Sequence, residues 1–135
     1  MAKEEVTFFL DENMPQRLAE ALRDNLGEHA THLYHHFGRD GVMDTEVLRY
    51  VGERRWFLVS RDRKIMRRRH ERVVIEQMGI GAFFLKDSLN DLCSIVRAVI
   101  HNWPEMKQIA RSRQRPFACL LRERGIVRLG NRHIR

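Results

Sequence analysis

Three apolar runs stand out from a chain that elsewhere mixes apolar and charged positions: Val6–Leu10 (VTFFL), Trp56–Ser60 (WFLVS) and Gly81–Lys86 (GAFFLK). Short runs without alternation predict strands covered on both faces, as in the centre of a parallel sheet. Between them the apolar residues recur every three or four positions. Leu18, Ala21, Leu22 and Leu26 follow Pro15 and stop at Gly27, which predicts a helix with its start and stop signals in place. Asp44 can cap a second helix, with Val47, Leu48 and Val51 buried and Gly52 near its end. From about Lys64 to Met78 the spacing predicts a third. Met66, His70, Val73, Val74 and Gln77 share its inner side, and Arg61, Lys64, Arg68 and Arg72 its outer side. Leu89, Leu92, Cys93, Val96, Val99, Ile100 and Trp103 form the longest stripe. Pro104 then breaks this helix or opens another, from Glu105 to about Ser112. His29–Tyr34 is a weaker strand leading into a loop, HHFGRDG. Phe117–Leu121 and Ile126–Leu129 read as closing strands, paired in a hairpin around Glu123–Gly125.

Strands alternating with helices place the chain in the α/β class, as a three-layer α/β/α sandwich around a mostly parallel sheet with right-handed crossovers. The 135 residues fit a single domain, 1–135, whose end from Gly130 to Arg135 reads as a loose tail. No run approaches the roughly 18 apolar residues of a membrane helix. The opening MAKEEVTFFLDEN carries acids where a secretory signal is apolar, so a cytoplasmic protein is expected. Cys93 and Cys119 sit in apolar runs and are expected to be buried, reduced thiols, without the spacing of a zinc site. The net charge of +7 favours a polyanionic partner, nucleic acid or an acidic protein.

Each strong strand runs into an acid: Asp11, Asp62 and Asp87. Open parallel sheets bind ligands at the carboxyl ends of their strands. Carboxylates gathered there repel one another unless a cation neutralises them, and Mg²⁺ or Mn²⁺ suits an all-oxygen site. The plainer alternative is helix capping, by Asp87 or Ser88, with Asp91 at the third position of a capping box opened by Ser88. Seven basic residues crowd Arg61–Arg72 beside Asp62. Arg61, Lys64, Arg67, Arg68 and Arg72 are candidates for holding phosphates, against a solvated face balanced by Glu71 and Glu76. A second group, Arg111, Arg113, Arg115, Arg122, Arg124 and Arg128, suits RNA or an acidic tail. His29, His32, His35 and His36 lack metal-site spacing and are expected in an exposed loop. Gly79-Ile80-Gly81 is expected to be a turn, and His101 and Trp103 to serve packing.

FFLDEN, DTEVLRYV and LVSRD, in that order, resemble PIN-like domains, in particular the short PIN-like branch that includes VapC-type toxin relatives. The resemblance covers about Val6 to Asp91. It implies a metal-dependent ribonuclease in which Asp11, followed by Glu12-Asn13, ends the first strand. Asp44 or Glu46 opens the helix before the next one, Asp62 completes Ser60-Arg61-Asp62, and Asp87 or Asp91 stands for a fourth acid. These acids would hold Mg²⁺ or Mn²⁺ and activate a water against an RNA phosphodiester. The resemblance also implies the toxin role of a toxin–antitoxin pair, with an antitoxin-like partner, and a homodimer as one assembly. Two rivals stand beside it. One is a non-catalytic PIN-like module that binds RNA or a partner. The other is a receiver-like phosphoacceptor built on Asp11-Glu12, Asp62 and Lys86.

Overall fold

The computed structural model describes residues 5–130. The expected three layers are present. Six strands, β1 (Phe8–Leu10), β2 (Ala30–His32), β3 (Phe57–Ser60), β4 (Gly81–Leu85), β5 (Phe117–Leu121) and β6 (Ile126–Arg128), form one sheet in the order β2-β1-β3-β4-β5-β6. All neighbours are parallel except β5 and β6, which pair antiparallel as the expected hairpin. The central strands are apolar on both faces because both faces are covered. Phe8, Leu10, Phe57, Val59, Phe83 and Leu85 pack toward helices α1 (Gln16–Asp24) and α5 (Leu92–Ser112). Their alternates Phe9, Leu58, Ala82 and Phe84 pack toward α3 (Asp44–Glu53) and α4 (Arg69–Met78). Complete burial of one such Phe is worth roughly 1.5–3 kcal/mol. Gly81 lets the two aromatic rows close up: a Cβ there would lie 2.5 Å from the Phe117 ring and 2.8 Å from the Phe57 ring.

The helices depart from the expected stripes. In α5 the buried residues are Ile95, Ala98, Val99, Asn102, Trp103, Met106, Ile109 and Ala110, while Leu92 is 65% exposed and Cys93 and His101 are exposed. Asp91 is itself the N-cap, in a capping box with Ser94, so the first turn lies beyond the covering sheet and its apolar residues face solvent. Pro104 lies inside one continuous helix. Buried Trp103 and Met106 hold the chain on both sides of it, and the carbonyl that loses its donor belongs to half-exposed Ile100. The predicted helix from Lys64 is two pieces: a 3₁₀ turn (Arg63–Met66) and then α4, separated by extended Arg68. This break rotates the register. Glu71, Val74 and Ile75 are buried, whereas His70 and Gln77 are exposed and Val73 is 39% exposed.

The expected loop after β2 contains a helix, α2 (Leu33–Phe37). His32 caps it, accepting from the Tyr34 N–H, and is fully buried with Nε2 2.8 Å from the Met14 carbonyl. His36 packs among Phe9, Tyr50 and Trp56, with its Nδ1 2.7 Å from the Tyr50 hydroxyl. These histidines are structural members of the molecule, not an exposed loop. The expected loose tail falls, except for Gly130, outside the described residues.

Candidate acidic site

The strand order reverses direction between β1 and β3, and in open α/β sheets that point leaves a crevice at the carboxyl ends. Register puts Leu10 beside Val59, so the residues that follow, Asp11 and Ser60-Arg61-Asp62, emerge together. Hydrogen bonds lace the two turns. The Asp11 N–H donates to the Val59 carbonyl at 2.9 Å. Asp11 Oδ1 accepts from the Glu12 N–H at 2.8 Å and Oδ2 from the Ser60 hydroxyl at 3.0 Å. Ser60 Oγ in turn accepts from the Asp62 N–H at 3.1 Å, and Asn13 Oδ1 accepts from the Arg61 N–H at 3.1 Å. In DEN, then, one residue supplies the buried charge and another ties the neighbouring turn to it.

Asp11 is only 5% exposed, and this burial pushes its carboxyl up to about 6. The Glu12 N–H and the Ser60 hydroxyl oppose the rise, while the charges of Asp44 and Glu12 add to it. Asp44, the first residue of α3, is also raised, first by burial and then by repulsion from Asp62, with Glu71 adding. Asp44 thus stands between the others: its charge acts on Asp11, and the charges of Asp62 and Glu71 act on it. Arg68 answers part of that charge. Its Nη1 lies 2.8 Å from Asp44 and 3.6 Å from Glu71 Oε1. Glu71 Oε2 is buried with no hydrogen-bond partner.

Of the two acids that open α3, the structure turns Asp44 toward Arg68, whereas exposed Glu46 pairs with Arg39 at 3.6 Å. Asp62 also caps the 3₁₀ turn, accepting from the Lys64 N–H at 3.0 Å. Asp87 lies exposed in the turn after β4, and Asp91 caps α5. Glu71 was not singled out in the sequence, where it reads as a counter-charge among arginines. The available signal was its place three, four and seven residues before Val74, Ile75 and Met78, on the inner stripe of a helix that starts at Arg69.

Carboxylate oxygens are the donors Mg²⁺ and Mn²⁺ take, and the crevice holds more negative charge than Arg68 neutralises, with one buried oxygen orphaned. In donor type and charge the residues fit a divalent ion. In the arrangement described, with a guanidinium on Asp44, no three acid, histidine or cysteine side chains among the described residues are gathered closely enough to hold one.

The basic residues are dispersed. Arg61 and Arg72 are partly buried, Lys64 and Arg67 are exposed, and the break at Arg68 removes the single helical face expected for Arg61, Lys64, Arg68 and Arg72. Arg122 and Arg124 line a cleft with Lys86 at the carboxyl ends of β4 and β5. Arg111, Arg113 and Arg115 lie at the opposite end of the sheet.

No helix among the described residues is long and apolar enough to cross a membrane. No curated protein and no solved structure gives a match. A family model described as PIN like domain matches residues 6–87. The strand order alone suits a receiver-like domain equally well, but this match spans more than half of the chain and takes in Asp11, Asp44, Asp62 and Glu71. The chain belongs to the PIN like domain family.

Proposed function

We propose that the protein is a divalent-metal-dependent ribonuclease whose site is the crevice of Asp11, Asp44, Asp62 and Glu71. The observation that carries this reading is Asp11: a carboxylate buried at the strand-order reversal, held by two donors and still pushed up to about 6. Strongly perturbed acids in a crevice mark functional sites, since a fold gains no stability from them. A bound Mg²⁺ or Mn²⁺ would supply Lewis acidity and an ionisable water. The chain's own part is positioning. The Glu12 N–H and the Ser60 hydroxyl hold the Asp11 carboxylate in one orientation, and Asn13 keeps the Arg61–Asp62 turn beside it. Glu46 and Asp87 stand at the margin of this assignment, and Arg61, Lys64, Arg67, Arg68 and Arg72 border it as contacts for substrate phosphates. A toxin role, an antitoxin-like partner and a homodimer extend the same reading.

Purified protein incubated with mixed RNAs should cleave them with Mn²⁺ and not with EDTA, and an Asp11→Asn variant should be inert. A second reading, a PIN-like module that binds RNA or a partner without cutting, draws support from the ion pair of Arg68 on Asp44. Retention of RNA with no cleavage in Mn²⁺ would select it.

A further inference from the structure

A second cleft, of about 360 Å³, opens at the amino ends of β3, β4 and β5, where Phe57, Gly79 and Arg115 meet the end of α5. Because these strands are parallel, it lies at the opposite end of the sheet from Asp11 and Asp62. Four arginines line it: Arg55, Arg111, Arg113 and Arg115. Two are fixed by the fold. Arg115 donates to the Arg55 carbonyl at 3.2 Å and lies 4.3 Å from the Phe57 ring centroid; Arg113 contacts the Cys119 thiol at 3.0 Å. The side chains of Arg55 and Arg111 have no hydrogen bond or ion pair with any described residue. The acid on the rim, Glu5, is 3.3 Å from His29.

Arg55 is also the one non-glycine residue with positive φ among the described residues, at 61°. It follows α3 in the left-handed position that ends a helix, with the Trp56 N–H donating to the Val51 carbonyl at 3.1 Å. The corresponding position after α4 is Gly79, at φ 64°. Glycine adopts this conformation freely and a side-chain-bearing residue does not. Strain of this kind, kept where glycine would remove it, points to a use for the side chain.

We propose that this cleft is a second anion site, which takes backbone phosphates of single-stranded RNA at the end of the sheet remote from the acids. It rests on RNA as the polyanion of the reading above, but not on cleavage. Planar guanidinium forks match phosphate oxygens in pairs, and several in one cleft suit a ligand whose charges recur along a chain. β4 spans about 17 Å at roughly 3.3 Å per residue, so one strand of a few nucleotides can reach from this cleft toward the acidic crevice.

The strain supplies the test, because Arg55→Gly removes the charge and the strain together. In EDTA, with a short mixed-sequence RNA read by fluorescence anisotropy, Arg55→Gly should keep the wild-type Tm or raise it by up to about 4 °C. Affinity should fall roughly tenfold and the slope of log affinity against log salt by about 0.7. Arg111→Ala should do the same, and the double variant should lose about 1.4 in slope. Failure of the nuclease reading then appears in cleavage assays, and failure of the cleft reading in these variants. Unchanged affinity and slope in Arg55→Gly and Arg111→Ala would overturn the proposal. So would an equal loss of binding to poly-glutamate, which would assign the cleft to an acidic protein segment.

Discussion

Replacing Asp11 with Asn should stabilise the metal-free protein near neutral pH while abolishing its response to metal. Asp11 holds its proton to about 6 against an ordinary 3.8. At roughly 1.4 kcal/mol per tenfold change in proton affinity, that gap amounts to about 3 kcal/mol. Its pKa is higher folded than unfolded, so the folded state binds more protons between about pH 4 and pH 6, and stability falls as pH rises through that window. At pH 7 the whole cost is present. Asn carries no charge, and its Oδ1 can still accept from the Glu12 N–H, but the bond from the Ser60 hydroxyl must be rearranged, at about 1 kcal/mol. The net gain of about 2 kcal/mol corresponds to a rise in Tm of about 7 °C for a chain of this length. Thermal melts in EDTA across this pH range should show the two proteins converging near pH 4 and diverging toward pH 7. Asp44, raised in the same direction, leaves a smaller pH dependence of the same sign in both. Saturating Mn²⁺ should reverse the order. At a hundred times Kd it adds about 2.7 kcal/mol to the wild type, and it should add nothing to the variant. A variant that melts below the wild type at pH 7 in EDTA would refute the reasoning, and Asp11 would then be a structural link between β1 and β3.

Arg68→Gln should tighten Mn²⁺ binding by at least about tenfold in titration calorimetry, because it removes the cation 2.8 Å from Asp44; unchanged or weaker binding would mean that Arg68 does not compete with metal. Gly81→Ala should lose about 2–3 kcal/mol in denaturant unfolding, since the new Cβ meets the Phe117 and Phe57 rings inside van der Waals distance. Asn102→Ala should cost about 1–3 kcal/mol and loosen the β5–β6 turn in hydrogen exchange. That side chain donates to the Arg122 carbonyl at 2.8 Å and accepts from the Gly125 N–H at 2.9 Å. Wild-type protection at Gly125 would show the turn to be held by the strands alone.

The sheet was legible because its central strands are buried on both faces, and that condition writes itself as FFL, FLVS and GAFFL, apolar throughout except for Ser60 at the end of β3. The acids were legible for a related reason: a buried strand must end somewhere, and an acid stands one or two residues beyond the end of each of these three. The helices were harder to place, because a stripe of apolar residues gives a period while the cap gives the phase. With Asp91 in place of Ser88 as the cap, α5 begins later, and Leu92 and Cys93 turn to solvent. With Arg68 extended, α4 starts afresh and brings Glu71 inside. The short α2 hid behind its cap, since histidine at both ends of a capping box is not a pairing that residue preferences suggest.

One break in the chain accounts for both the missing basic face and the missed acid. Had the helix run unbroken from Lys64, Arg61, Lys64, Arg68 and Arg72 would share one outward stripe and Glu71 would face solvent as their counter-charge. Three acids would then meet at the strand ends with no cation of the chain's own among them. The extended Arg68 instead places a guanidinium on Asp44 and Glu71, and the restarted helix adds a fourth carboxylate with one buried oxygen left unpaired. The crevice gains one internal cation and one further carboxylate in the same step, so its excess of negative charge is unchanged. Folding alone gives no reason to bury Glu71 beside Asp44, because its charge adds to the rise at Asp44 at a cost in stability. On the reading proposed above a divalent ion would offset that cost, with the Arg68 guanidinium as its counterpart in the protein without metal. At Arg68, then, the basic stretch after β3 is a part of the acidic site before it is a surface for any partner.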